Sequence, residues 1–165
     1  MDLIIKLLTP KDAIQCAAVH AESWRFAYSD IVSNQSIEKN IARFRMIWTK
    51  LLLSNTDSHY AIVYNNEIIG IITIAPSRDE DLPNYYEIVA LYISPAYVGM
   101  GFGRQAMNWI KHEILSRGYN NILLWVLQDN YRARCFYEKS NFTTDYKTKQ
   151  SGLGDTTEIR YIAHI

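Results

Sequence analysis

Gly99, Gly101 and Gly103 alternate with Met100 and Phe102, just after the run Glu87–Ser94, EIVALYIS, and its terminator Pro95. Residues without side chains let successive main-chain N–H groups converge on an anion. Phe102, Ala106, Trp109, Ile110 and Ile114 then recur at helical spacing. The glycines therefore open a helix whose N-terminus adds partial positive charge, and the guest that fits is a phosphate or pyrophosphate. Arg104 stands where it can add a full charge. One pattern that matches this loop is the dinucleotide fingerprint G-x-G-x-x-G/A, here Gly101 to Ala106, with Asp129 as the ribose acid.

The elements that must position this loop read as follows. Glu87–Ser94 is apolar, β-branched and aromatic, which predicts a mostly buried strand ended by Pro95. Upstream, 3–8 reads as a short strand. Thr9 and Pro10 start a helix whose apolar stripe is Ile14, Ala17, Ala18, Ala21 and Trp24. Ser36 caps a second helix, with Ile37, Ile41, Phe44, Trp48, Leu51 and Leu52 on one face, ended by Ser54 and Asn55. His59–Tyr64 and Glu67–Ala75 are strands, and Asn65-Asn66 suits the left-handed geometry of the tight hairpin between them. Residues 76–84 are a polar loop. Gly118 ends the glycine-loop helix, and Ile122–Leu127 is a buried strand that the intervening helix sets parallel to Glu87–Ser94. Asn130–Lys139 is a short helix ended by Asn141. Phe142–Lys149 and Glu158–His164 are the last two strands.

The order is β-α-α-β-β-β-α-β-α-β-β. A doubly wound dinucleotide fold begins with its glycine loop and continues with a longer α/β alternation, so this order speaks against it. The chain of 165 residues is the length of one domain, 1–165. Its 17 basic and 17 acidic residues balance, leaving no electrostatic footprint for nucleic acid or an anionic membrane. The segment MDLIIKLLTPKD lacks the apolar core of a signal peptide, and no apolar run approaches a membrane span. A cytoplasmic protein is expected. Cys16 and Cys135 are then reduced thiols, and His20, His59, His112 and His164 show no metal-ligand spacing, so no metal is expected.

A second segment, Asn130-Tyr-Arg-Ala-Arg-Cys-Phe-Tyr-Glu-Lys-Ser-Asn-Phe142, resembles the motif N-x-x-A-x-x-F-Y-E-K-x-G-F of the GNAT (GCN5-related) N-acetyltransferases, with Asn141 in place of glycine. The text L-Y-I-S-P-x-Y-x-G-x-G-x-G from Leu91 resembles the acetyl-CoA loop Q/R-x-x-G-x-G/A of the same family. The two motifs occur in the family's order, and the resemblance covers residues 85–142 in sequence. The early text H-A-E-S-W-R-F-A-Y also resembles the first helix of some members. Val98 takes the place of the usual Q/R, which removes one polar side chain from the loop.

The resemblance implies an α/β fold of mixed α+β type. Its twisted, mostly antiparallel sheet has six to seven strands with one splayed parallel pair, flanked by about four helices. It implies acetyl-CoA as cosubstrate, held by Val98, Gly99, Gly101, Phe102, Gly103 and Arg104, by main-chain groups of Leu91 and Ile93, and by Asn130, Ala133 and Phe136. An N–H of Leu91 or Ile93 would polarise the thioester carbonyl. Tyr137 would be the general acid that protonates the departing thiolate. An alkyl ammonium must also lose a proton, at about 4–5 kcal/mol at neutral pH. Glu87, beside apolar Ile88 and Val89, is the candidate base, with His20 and Glu22 behind it. Trp24 and Tyr28 are candidate acceptor-pocket residues. The expected acceptor is the primary amine of a small molecule, with a peptide or protein N-terminus as the alternative. A non-catalytic acyl-CoA-binding module is the rival from another class, and homodimerisation through a C-terminal strand is open.

Overall fold

The computed structural model describes residues 3–54 and 58–165. Asn55, expected to help end the second helix, and the first two residues of the N-terminal segment lie outside them. The elements are β1 (Ile4–Leu7), α1 (Ala13–Tyr28), α2 (Asn34–Ile41), α3 (Phe44–Leu53), β2 (His59–Tyr64), β3 (Glu67–Pro76), β4 (Tyr86–Ile93), α4 (Phe102–Ser116), β5 (Asn121–Leu127), α5 (Tyr131–Lys139), β6 (Thr143–Gln150) and β7 (Thr157–His164), with 3-10 turns at Pro10–Asp12 and Pro95–Tyr97. The strands form one mixed sheet in the order β1-β2-β3-β4-β5-β7-β6, with β4 and β5 as its parallel pair. Among the described residues, no helix is long and apolar enough to cross a membrane.

The chain divides into two compact units. The first comprises the described residues up to Thr73 together with Ala90–Ala106. Here β1 and β2 pair antiparallel, as do β2 and β3. Asn65 and Asn66 take φ of 50° and 65°, the left-handed geometry of a two-residue hairpin. Its core joins Ala13, Cys16 and Ala17 of α1 with Phe44, Trp48 and Leu52 of α3 and Ala61 and Ile71 of the sheet.

Two helical expectations need correction here. Ile14 is 63% exposed and Ala18 is exposed, so the buried stripe of α1 starts from Ala13 and Cys16. Apolar type alone could not choose between two stripes one residue apart. The expected second helix is two, broken after Ile41. Ser33 caps the first of them by accepting from the Ser36 N–H at 3.2 Å, and Leu51 turns partly outward.

The second unit comprises Ile74–Val89 and Met107–Ile165. Its parallel ladder runs from Tyr86↔Ile122 to Ile88↔Leu124, and β5 and β6 both pair antiparallel with β7. Gly118 sits at φ 85° beyond α4, and Asn141 at φ 66° beyond α5, as helix-ending residues do. The 76–84 loop proves to be pinned. Arg160, 3% exposed on β7, donates to Asp79, Asp81 and Asp145, and the Trp125 indole N–H donates to Asp79 at 3.1 Å.

Candidate active site

In the first unit, β4 delivers the chain to the glycine loop. Ser94, one residue past the strand, donates its N–H to the Ile69 carbonyl of β3 at 2.8 Å. Adjacent amides of an extended strand face opposite edges, so the Ile93 N–H faces away from β3, and so does that of Leu91. A Cβ on Gly70 would lie 2.6 Å from the Tyr92 carbonyl oxygen, so glycine is what lets β3 and β4 approach there. The expected mostly buried strand is buried only at its start. Tyr86, Glu87 and Ile88 are buried, Val89 is exposed, and Ala90–Ile93 are half-buried. A central strand half open to solvent has main chain to offer a ligand.

The 3-10 turn at Pro95–Tyr97 follows. The Val98 N–H donates to the Pro95 carbonyl at 3.3 Å, so the amide of this predicted cofactor residue is already engaged. The cradle therefore starts at Gly99. Gly99 and Gly101 both take φ 86°, and no heavy atom lies within 4 Å of a Cβ built on either. Gly103 is the exception to the alternating-loop reading, because α4 already begins at Phe102. The first hydrogen bond of that helix end runs from the Gln105 N–H to the Gly101 carbonyl, at 3.2 Å. The amides of Phe102, Gly103 and Arg104 thus project from the helix N-terminus. The Phe102 side chain anchors the turn inward, 4.8 Å from the Tyr64 ring and 6.1 Å from that of Tyr97, and Arg104 is exposed.

Helix α1 covers the β4 face that bears Tyr92 and Ser94. The Tyr28 and Tyr92 hydroxyls are 3.1 Å apart, and the Ser94 hydroxyl donates to Glu22 Oε2 at 2.9 Å. Behind them His20 stacks on Phe44 at 4.0 Å, and its Nδ1 accepts from the Trp48 indole N–H at 3.2 Å. Burial pushes His20 down to about 3, which leaves it neutral and unfit as a base in the working pH range. Trp24 sits edge-on to His20, Phe44 and Tyr28, as part of this aromatic packing. Burial also pushes the Cys16 thiol up to about 12.

In the second unit, Glu87 is buried, and both its carboxylate oxygens accept from Arg78, at 2.9 and 2.6 Å. The hydrogen bonds it donates to Glu87 raise Arg78 above its ordinary value. The apolar neighbours that suggested a base are present, and each carboxylate oxygen spends one of its lone pairs on the guanidinium. Nothing in the spacing of residues 78 and 87 signals this pair, because it closes across a loop. Asn130 caps α5, its Oδ1 accepting from the Ala133 N–H at 3.1 Å, so these two predicted cofactor residues engage each other. Phe136 and Tyr137 are half-buried, their rings 5.4 Å apart, with Phe142 6.0 Å and Tyr161 6.5 Å from Tyr137. Cys135 is exposed and free.

A family model, the acetyltransferase (GNAT) family, matches residues 18–142. The chain belongs to this family. It is an N-acetyltransferase, and its relatives carry that name. An uncharacterized N-acetyltransferase, YuaI, of Bacillus subtilis is 24% identical over 154 residues, covering 87% of each chain. The spermidine N(1)-acetyltransferase of Thermoplasma acidophilum is 25% identical over 152 residues, covering 88% of this chain and 91% of that one. Among solved structures, the PaiA N-acetyltransferase of Thermoplasma acidophilum in complex with coenzyme A superposes with a TM-score of 0.83 at 21% identity, covering all of both chains. This GNAT enzyme thus shares its fold with that structure from end to end.

Proposed function

We propose that this acetyltransferase binds acetyl-CoA on the amides from Gly99 to Arg104 and transfers the acetyl group directly to the primary amine of a small molecule. The observation that carries the reading is the pair of left-handed glycines, with open space where a Cβ would stand, directly ahead of the projecting amides of α4. Convergent amides at a helix N-terminus suit a pyrophosphate. The half-exposed end of β4 would then carry the pantetheine arm, and the Leu91 or Ile93 N–H would polarise the thioester carbonyl. Such a donor, aimed at the developing oxyanion, supplies roughly 3–4 kcal/mol.

When bound, acetyl-CoA supplies an activated acyl carbon. The amine nitrogen attacks that carbon in a ternary complex, the C–S bond breaks, and the electron pair leaves on sulfur. Tyr137 donates the proton that makes the thiol. A phenol of pKa about 10 and a thiol of about 8.5 are close enough for this transfer to need little driving force. Both the spermidine relative and the balanced charge favour a small amine over a polypeptide tail. Calorimetry with acetyl-CoA, followed by thiol release on a panel of polyamines, monoamines and peptide N-termini, tests the reading. Heat without thiol on any acceptor would make this chain a binding module, and turnover confined to peptides would overturn the small-amine choice. Tyr137→Phe should lower kcat by about a hundredfold with acetyl-CoA affinity unchanged. Full turnover in that variant removes the acid role.

A further inference from the structure

The carboxylates of the first unit mostly have partners of their own. Asp12 accepts from Thr9 and lies 3.7 Å from Lys6, Glu38 is held by Arg25 at 2.6 and 2.8 Å, and Glu67 accepts from the Tyr97 hydroxyl. Glu22 differs. Its carboxylate is oriented by a neutral group, the Ser94 hydroxyl, and it has no cationic partner among the described residues. Its side chain is exposed, while Ser94 is 7% exposed. Ser94 is itself held by β3 through its amide, and it joins the open end of β4 to the turn before the glycine loop. The result is a negative charge fixed in direction, uncompensated, and anchored to the segment that leads into the cradle.

We propose that Glu22 receives the acceptor amine. The inference rests on the acetyl-transfer reading above and gives that reaction a proton acceptor other than Glu87, whose two oxygens are both engaged by Arg78. Oε1 of Glu22 binds the incoming alkyl ammonium while Ser94 holds Oε2. Tyr92 stands two residues before Ser94, and its hydroxyl lies 3.1 Å from that of Tyr28. The Glu22 carboxylate takes one proton from the ammonium, directly or through a water, leaving a neutral amine whose lone pair forms the new N–C bond. As the C–S bond breaks, sulfur keeps the electron pair and gains a proton as thiol. The nitrogen's second proton makes good the one that sulfur took up, leaving the amide, and Glu22 returns its own to solvent. The balance is ammonium plus acetyl thioester giving acetamide, thiol and one proton. The ligand class is therefore a cationic alkyl amine.

The test uses the full chain and the alkyl amine of the panel on which it is most active. Glu22→Gln should lower kcat/KM for that amine by about a hundredfold and leave the acetyl-CoA dissociation constant within about twofold. Glu22→Asp, which keeps the charge, should recover part of the loss, and Ser94→Ala should cost a smaller factor with acetyl-CoA affinity again unchanged. Glu22→Gln acting within about threefold of wild type, or losing acetyl-CoA affinity in proportion to activity, overturns the assignment while leaving the acetyl-transfer reading in place. A wild-type protein that acetylates no amine overturns both.

Discussion

The glycine cradle can be tested by separating backbone strain from ligand contact. Gly99, Gly101 and Gly118 have nearly the same φ, 86°, 86° and 85°, and a Cβ on any of them would meet no heavy atom within 4 Å. Alanine at each position therefore carries the same cost, the left-handed penalty of about 1–2 kcal/mol, with no clash added. For a chain of this length that lowers the melting temperature by roughly 2–8 °C. Against a total stability of about 5–15 kcal/mol, almost all of the protein stays folded at room temperature. Destabilisation alone then leaves the CoA dissociation constant where it was. Gly118→Ala, at the far end of α4, should show the thermal shift and wild-type CoA binding. Gly99→Ala and Gly101→Ala should show the same thermal shift and weaken CoA by about tenfold or more, or 1.4 kcal/mol, because a Cβ and a relaxed φ turn the amides away from the pyrophosphate. Differential scanning fluorimetry and calorimetry read the two quantities on the same samples. Gly101→Ala binding CoA like wild type, or Gly118→Ala weakening it equally, would refute the cradle.

Three further outcomes follow from buried charge. His20 titrates at about 3 in the folded chain against about 6.5 unfolded, so between these values only the unfolded chain takes up the proton. Stability therefore falls as pH drops through that window, by up to roughly 1.4 kcal/mol per unit, and His20→Gln should flatten the slope in denaturant titrations between about pH 4 and 6. Arg78→Ala strands the buried Glu87 carboxylate, whereas Glu87→Gln leaves an Arg78 that is 64% exposed and reaches water. The arginine variant should be the less stable by at least about 1 kcal/mol in urea unfolding, and equal losses would deny the asymmetry. Arg160→Met removes the cation shared by Asp79, Asp81 and Asp145 and should lower stability at neutral pH in urea unfolding. Asp81 and Asp145 are held below the ordinary carboxylate range, the first by hydrogen bonds from Arg160 above all, the second by Arg160 against the opposing effect of burial. Depressed carboxylates stabilise above their unfolded pKa and lose that contribution as pH falls. The gap between wild type and Arg160→Met should therefore narrow below about pH 4, and a gap independent of pH would show that the carboxylates are not what Arg160 serves.

What the chain's text determined was local or motif-borne. Pro95 ends β4 because it cannot donate to a ladder, Asn65-Asn66 turns the hairpin because asparagine tolerates positive φ, and Gly118 and Asn141 end their helices for the same reason. The glycine loop and the Asn130–Phe142 segment pointed to the family, because each compresses a conformation and its use into a few neighbouring residues. Contacts between distant residues and the choice of buried face were left to the tertiary structure. Ile14 turns outward while Ala13 and Cys16 turn inward, a difference of one position on a helix that hydrophobicity alone did not resolve. Glu87 meets Arg78 across a loop, and Glu22 meets Ser94 from 72 residues away. A carboxylate's role depends on what lies against it, and that partner is chosen for Glu22 by how α1 packs on the end of β4 and for Glu87 by how the loop bearing Arg78 folds back on its own strand.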